Sequence, residues 1–534
     1  MVVDKVGVVS AALVLALAGC AVAEAARPGR GRAGHSGAVA ADHILASEAG
    51  AAALRAGGNA VDAAIAAALA SGVVQPSGSG LGGGGFAVVV KPDGVANAFD
   101  FREVAPAAAS ATMFAGGVSS QTGGLAVAVP SEALGLIEMH HQYGRLPLRR
   151  IALPAIHDAE RGFETGPHLA ESLAQFPGMH AVFGEHNERP GLALALRAFA
   201  DSDGEAFRTG WVAQDFVDTV RANGGVLTMD DFLNYTVKPR EPLRGAYHGL
   251  TVVTMPPPSS GGIALLQMLG ATDGVSDLAC EVEAAKHAMA DRAAFGGDPQ
   301  FVPVDVAGLL SAAHVAQFRA DCGPTTFPPE HYAPVPPPPD DHGTLHISVI
   351  DGDGMAVALT TTINTAFGSQ LVAARSGIVL NNEMDDFATH PGQANAYGLI
   401  QGDQNAPLPG KRPLSSMTPT VILDASGRPF IAVGGSGGPF IITATYQAIR
   451  NVVDRGMDAA AAVSAPRWHH QWLPNVVMAE GTVPAAEIAA LTARGHTIAP
   501  IAKPFSAVQL VIRRDGQLSA ASDPRKGGTP VLAP

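Results

Sequence analysis

Aromatic residues make up only 5% of this 534-residue chain. A core for so long a chain must therefore be built from aliphatic side chains, and the 47% hydrophobic content is ample for one. Runs of basic residues are absent, and the formal net charge is −14. A nucleic-acid backbone demands clustered Lys and Arg, so that class of partner is excluded. Cysteine is scarce: Cys20, Cys280 and Cys322. Neither Cys280 nor Cys322 stands at metal-ligand spacing. One disulfide in an oxidising compartment and two buried thiols are both open readings for that pair. No internal repeat is visible. The length alone allows about three domains.

Long apolar runs are also missing. Residues 6 to 19, VGVVSAALVLALAG, are too short to cross a bilayer as a helix. They suit the apolar region of a signal peptide, with Lys5 offset by Asp4 upstream. Leu17-Ala-Gly-Cys20 has the form of a bacterial lipobox, in which the cysteine is lipidated and becomes the mature N-terminus. Ordinary cleavage after the small residues between Ala21 and Ala26 is the alternative. The expected address is outside the cytoplasm: periplasmic, anchored by lipid on Cys20, or secreted. Residues 1–26 are set aside as this signal region.

Along the mature chain, Ala41 to Leu54 has helical periodicity and stops at Gly57-Gly58. Asn59 is placed to cap a second helix from Ala60 to about Leu69, with Asp62 reaching back onto the cap. Glycines from Gly78 to Gly85 follow, then a strand from Phe86 to Val90. Gly78-Ser-Gly80-Leu-Gly-Gly83 matches a dinucleotide fingerprint, but helix precedes it and strand follows. A phosphate site needs the reverse order. These glycines are expected to let backbone pass close to backbone instead. Helices are expected over Glu132–His141, Leu192–Ala200 and Ile263–Leu269. His140-His141 does not make a metal pair, because adjacent helical residues point apart.

Residues 323 to 343 carry eight prolines and read as a linker. Beyond it, two strand-like runs, Leu345 to Ile350 and Met355 to Ile363, are joined by Asp351-Gly-Asp-Gly354, which predicts a β-hairpin. Thr344 thus stands where an exposed linker meets a buried strand. If the Gly343–Thr344 bond were cut, Thr344 would carry a free α-amine beside its hydroxyl. An α-amine has a pKa near 7.7 to 8.0, so at neutral pH it can take the hydroxyl proton. That is the threonine and N-terminal amine form of nucleophilic catalysis.

Thr344-Leu-His-Ile-Ser348, Thr360-Thr-Thr-Ile-Asn364 and Asn381-Asn-Glu-Met-Asp-Asp386 together resemble the small-subunit start of the gamma-glutamyltransferases. The resemblance extends to Gly57–Ala64, Leu81–Phe86, Asp100–Pro106, Thr228–Tyr235, Met255–Gly262, Lys411–Met417, Gly434–Gly438 and the tail through Asp523-Pro-Arg-Lys526-Gly-Gly528. It implies an N-terminal-nucleophile hydrolase of the α+β class, a four-layer αββα sandwich. It implies self-cleavage into a large chain, 27–343, and a small one, 344–534, that stay one body. The implied activity is transfer of a γ-glutamyl group from glutathione or a similar amide to water, an amino acid or a dipeptide, with no cofactor and no metal.

Residue by residue, the resemblance makes Thr344 the nucleophile, hydrogen-bonded by Thr362, with Gly437 and Gly438 as oxyanion donors. Arg102, Ser415 and Ser416 would bind the substrate α-carboxylate. Asn364, Glu383 and Asp386 would bind its α-ammonium, and Tyr397 takes the place of a lid tyrosine in Asn395–Ile400. A lid excludes water and favours a bound acceptor over hydrolysis. Many relatives carry a second threonine after the nucleophile; Leu345 stands there and is expected to face away from the chemistry. Glutaryl acylases of the same fold are an alternative, but a glutaryl group lacks the ammonium that Asp386 and Asn364 would bind.

Two rival readings come from the residues themselves. Gly434-Gly-Ser436-Gly-Gly438 fits the nucleophile elbow of a serine esterase, with Asp454 or Asp458 and then His469 or His496 in the right order. The chain could also be an exported lipoprotein that kept the fold and lost the chemistry.

Overall fold

A computed structural model describes residues 37–333, 343–389, 395, 396, 399, 402–501 and 506–534. Cys20, Tyr397 and the proline cluster before Gly343 lie outside the described residues. The strands in chain order are β1 (Gly37–Ala41), β2 (Gly84–Val90), β3 (Ala96–Phe101), β4 (Lys238–Arg240), β5 (Leu243–Tyr247), β6 (Leu250–Thr254), β7 (Leu345–Asp351) and β8 (Ala356–Thr362). They continue as β9 (Thr420–Leu423), β10 (Pro429–Ser436), β11 (Trp468–His469), β12 (Val477–Glu480), β13 (Ile498–Ile501), β14 (Ala507–Arg514), β15 (Gln517–Ser522) and β16 (Val531–Ala533).

Two large sheets result. One has the order β16-β1-β7-β8-β2-β3-β4, and the other β15-β14-β10-β9-β6-β5. Side chains alternate across each strand, and the alternation sorts the core. Ala38, Ala40, Phe86, Val88, Ala356 and Ala358 of the first sheet pack against Val253, Val421, Ala432 and Val511 of the second. The intervening Val39, Ala87, Val89, Ile347 and Val349 pack instead on the helices Ile44–Arg55, Ala60–Val74 and Leu148–Arg161. On the far side, Val252, Ile431 and Val433 meet the helices Gly261–Thr272, Leu278–Phe295 and Phe440–Val453. The layers are α, β, β and α, as expected.

The predicted hairpin is present: β7 and β8 pair antiparallel from Leu345↔Thr361 to Ile350↔Ala356. Asp351 Oδ1 fixes its turn by accepting from Gly354 N and Met355 N, each at 2.9 Å. Asn59 and Asp62 form the expected capping box, with Asn59 N donating to Asp62 Oδ2 at 2.9 Å. That helix runs on to Val74, past the expected end at Leu69. Alanines and valines are buried on every side of it, so no polar face marks an end, and Pro76 sets the stop.

Cys280 and Cys322 form a disulfide between the helix Leu278–Phe295 and the turn after the helix Ala312–Ala320. Among the described residues, no helix is long and apolar enough to cross a membrane.

Candidate active site

Thr344 precedes β7, and Thr362 ends β8 beside it. Thr344 Oγ1 contacts the Gly343 carbonyl oxygen and lies 3.1 Å from Thr362 Oγ1. Thr362 Oγ1 also reaches the Gly343 carbonyl at 3.2 Å and accepts from Asn364 N at 2.8 Å. Lys526 Nζ donates to the Thr344 carbonyl at 2.7 Å. Thr344 is 3% exposed. Residue parity puts Leu345 on the opposite face, against Gly78, as expected. On the same face as Thr344 lies His346, bonded to Thr360 Oγ1 at 2.8 Å. Burial pushes its pKa down to about 3, so it is a neutral ring.

The glycines before β2 make this arrangement possible. A Cβ on Gly82 would lie 2.0 Å from the Val379 carbonyl oxygen, and one on Gly83 would lie 1.9 Å from that of Thr362. Backbone passes directly against backbone here, as the sequence suggested. Asn381 binds the same loop: its Nδ2 donates to Gly82 O at 2.8 Å and to Ala128 O at 3.0 Å. The short turn Glu383–Asp386 that follows is thereby held beside the end of β8.

Arg102 leaves the end of β3 and points into this turn. Nη1 pairs with Glu383 and Nη2 with Asp386. Nε and Nη2 also donate to the carbonyls of Pro413 and Leu414, each at 3.3 Å. Burial alone would lower the Arg102 pKa, but Glu383, Asp386 and Glu103 outweigh it and hold the guanidinium charged. Burial pushes Glu383 well above the usual carboxylate range, against the pull of Arg102. Glu103 is pushed up to about 7 for the same reason. The cation and the anions expected to bind opposite ends of a zwitterion are thus directly paired to each other. Asn364 sits in the left-handed region at φ 75°, with Nδ2 donating to Asn382 O at 3.0 Å. Asn395 Nδ2 reaches Asp386 Oδ1 at 3.2 Å, which ties the start of the lid segment to the site.

Gly437 and Gly438 have φ of 115° and 55°, a conformation that favours glycine. Their carbonyls accept from Phe440 N and Ile441 N at the start of the helix Phe440–Val453. Among the described residues, neither glycine N–H has a partner, which leaves two amides for a developing oxyanion.

A cleft with about 290 Å³ of empty space brings the parts together. Thr344, Thr362, Asn364, Arg102, Glu383, Asp386, Ser415, Ser416 and Gly438 all line it. Ser415 Oγ accepts from Met417 N at 3.1 Å, whereas the buried Ser416 Oγ has no partner among the described residues. Two participants escaped the sequence reading. Arg292, on the helix Leu278–Phe295, also lines the cleft. Lys526 was noted only as part of the tail. No spacing rule links either to Thr344.

The rival constellation does not assemble. Ser436 is fully buried, with Oγ 3.5 Å from the Ala507 carbonyl. His469 is held by Thr443 and Gln471, and His496 lies nearest Glu283. Asp454 accepts from Tyr247, and Asp458 caps a helix. His140 and His141 point to different partners, Leu146 O and Asp203.

Comparison with known proteins agrees with the geometry. Residues 46–533 match the family model described as gamma-glutamyltranspeptidase. The glutathione hydrolase proenzyme of Escherichia coli is 36% identical over 92% of this chain and 90% of its own length. The glutathione hydrolase proenzyme of Pseudomonas aeruginosa is 38% identical over 93% of this chain and 94% of its own. Among solved structures, a cephalosporin acylase from Bacillus halodurans superposes with a TM-score of 0.83 at 28% identity, covering 97% of this chain and 99% of that one. A gamma-glutamyltranspeptidase chain from Helicobacter pylori matches with a TM-score of 0.53 at 32% identity, covering 57% of this chain and 95% of that one. With family match, relatives, fold and site in agreement, the chain belongs to the gamma-glutamyltranspeptidase family.

Proposed function

We propose that the chain cuts itself between Gly343 and Thr344 and then transfers γ-glutamyl groups from glutathione or related amides. One observation carries the reading. The Thr344 hydroxyl touches the carbonyl of the bond to be cut, inside a cleft that also holds Arg102 and Asp386.

In maturation, Thr344 Oγ attacks the Gly343 carbonyl carbon. The peptide C–N bond breaks, the nitrogen takes up a proton as an amine, and an ester remains. Water hydrolyses that ester, leaving a Gly343 carboxylate and a Thr344 with a free amine and a free hydroxyl. Thr362 donates to the carbonyl oxygen as it becomes anionic. In turnover, the α-amine takes the Oγ proton while Oγ attacks the γ-carbonyl of the donor. Gly437 and Gly438 N–H groups hold the oxyanion. The leaving amine carries the proton away, and a γ-glutamyl ester stays on Thr344. Water or an acceptor amine then releases the acyl group.

Arg102, Ser415 and Ser416 take the donor α-carboxylate, and Asp386, Glu383 and Asn364 take its ammonium. An incoming zwitterion exchanges one end with each partner of the Arg102 ion pairs, so no charge is left unpaired. The names of the relatives support glutathione as donor, and the partial-length match to the Helicobacter pylori chain supports two processed chains. Export, with Cys20 as a lipid attachment point, belongs to the same reading.

The test has two parts. N-terminal sequencing of the mature protein should yield a fragment beginning Thr-Leu-His-Ile. Purified enzyme should release nitroaniline from a γ-glutamyl anilide, faster with glycylglycine present. An uncut, inactive product would refute the proposal. The likeness to a cephalosporin acylase supports a second reading, amide hydrolysis of glutaryl side chains; preference for a glutaryl anilide would favour it.

A further inference from the structure

We infer that Arg292 is a second guanidinium of the substrate site and that, with Ser416, it binds the α-carboxylate of the acyl donor. The inference rests on the γ-glutamyl reading above and adds a residue to it.

Arg292 stands near the end of the helix Leu278–Phe295 and is 4% exposed. Among the described residues, its Nε and Nη1 have no hydrogen-bond partner. The acid beside it in sequence does not serve, because Asp291 Oδ2 already accepts from Gln267 Nε2 at 2.7 Å and from His314 Nε2 at 2.6 Å. An unpaired buried guanidinium is costly, and such groups are ordinarily matched by an anion. Burial lowers its pKa to about 10, with Asp386 opposing and Arg102 reinforcing the shift. It is still a cation at neutral pH. It lines the cleft that Thr344 and Asp386 line, and also a neighbouring cavity beside Ile263 and Leu309.

In the free site Arg102 is mostly engaged, and the exchange described above releases only its donors to Glu383 and Asp386. Of its five N–H donors, four are committed to Glu383, Asp386, Pro413 O and Leu414 O. Arg292 lines the same cleft and carries open donors, and so does Ser416, whose Oγ is buried and has no partner among the described residues. Guanidinium plus hydroxyl is a donor set suited to a carboxylate. Asp386 sits in the same cleft for the ammonium. The subsite therefore reads the carboxylate on the α-carbon, the feature that separates a γ-glutamyl group from a 4-aminobutanoyl group.

The test uses the mature enzyme and γ-glutamyl p-nitroanilide, with L-glutamate and 4-aminobutanoate as competing ligands. Arg292→Met should raise KM by roughly 10- to 100-fold, the range of one charge-assisted contact, and change kcat much less. The preference for L-glutamate over 4-aminobutanoate as inhibitor should fall by a similar factor. The melting temperature should hold or rise, because an unpaired buried charge has been removed. Arg292→Lys keeps the charge and should show a smaller KM rise in the same direction; it decides the matter if the Met variant does not fold. Unchanged KM in a folded variant overturns the inference. So does an equal loss of affinity for both competing ligands, which would mark a purely structural role. A wild-type enzyme with no activity on the anilide would instead sink the γ-glutamyl reading itself.

Discussion

Thr362 Oγ1 stands between the two groups that react in the proposed maturation, 3.1 Å from Thr344 Oγ1 and 3.2 Å from the Gly343 carbonyl oxygen. Asn364 N–H already donates to it, so the Thr362 proton is directed towards that pair. Removing one donor of this kind slows acyl chemistry by about 10²- to 10³-fold. Thr362→Ala should therefore leave mostly uncut precursor in a time course followed by gel, and Thr362→Ser should cut almost normally. Equal cutting by both would remove Thr362 from the step.

Arg102 neutralises buried acids, and in the proposed reading it also binds substrate. Arg102→Ala strands Glu383, Asp386 and Glu103 without their main cation, and breaking a buried pair costs about 3–5 kcal/mol. Urea unfolding should show a loss of that order at pH 8 and a smaller loss at pH 5, where Glu383 and Glu103, both raised by burial, take up protons. KM for γ-glutamyl substrates should rise steeply. Full stability at both pH values would contradict the cluster's energetics.

Gly83 has no room for a methyl group. Its Cβ would overlap the Thr362 carbonyl, so the end of β8 would have to move. Overpacking of this kind costs about 1–3 kcal/mol or more. Gly83→Ala should lower the melting temperature and slow self-cleavage together. A normal cutting rate with reduced stability would show that Thr362 tolerates the displacement.

Glu132 is buried at the start of the helix Glu132–Tyr143, where Ser79 Oγ donates to its Oε2 at 3.1 Å. Burial pushes its pKa up to about 8 from an ordinary 4.5, and Glu103 adds to the rise. A raised carboxyl pKa means that the folded state holds the proton more tightly. Its contribution is full below about pH 4.5 and is lost as pH rises through 8. Glu132→Gln keeps a neutral group there. Its stability gain over wild type should grow between pH 5 and 9, reaching on the order of a few kcal/mol. A constant difference across that range would mean that Glu132 is ionised when folded.

Much of this was legible in the sequence because it is local. The Asp351 turn, the Asn59–Asp62 cap and the strand alternation each depend on a few neighbouring residues. The close backbone passage at the Gly78–Gly85 loop was legible from the order of elements, helix before the glycines and strand after. The site residues were legible only through resemblance, since Arg102 and Asp386 are far apart in the chain and nothing in either segment predicts their meeting. The true end of the second helix was hidden because its burial is uniform. Arg292 was hidden because a lone arginine in an alanine-rich helix looks like any solvated one; what marks it is burial without a partner for Nε and Nη1 among the described residues, a property of three dimensions.

The first sheet alternates its origins: β16, β7 and β8 follow residue 343, while β1, β2, β3 and β4 precede it. The second joins two blocks, β15-β14-β10-β9 from after that point and β6-β5 from before it, through the pairing of β9 with β6. Two products of cleavage at Gly343 are therefore woven together, and parting them means tearing both sheets. Activity per molecule should not fall as the enzyme is diluted, and separately made fragments should not exchange into finished enzyme.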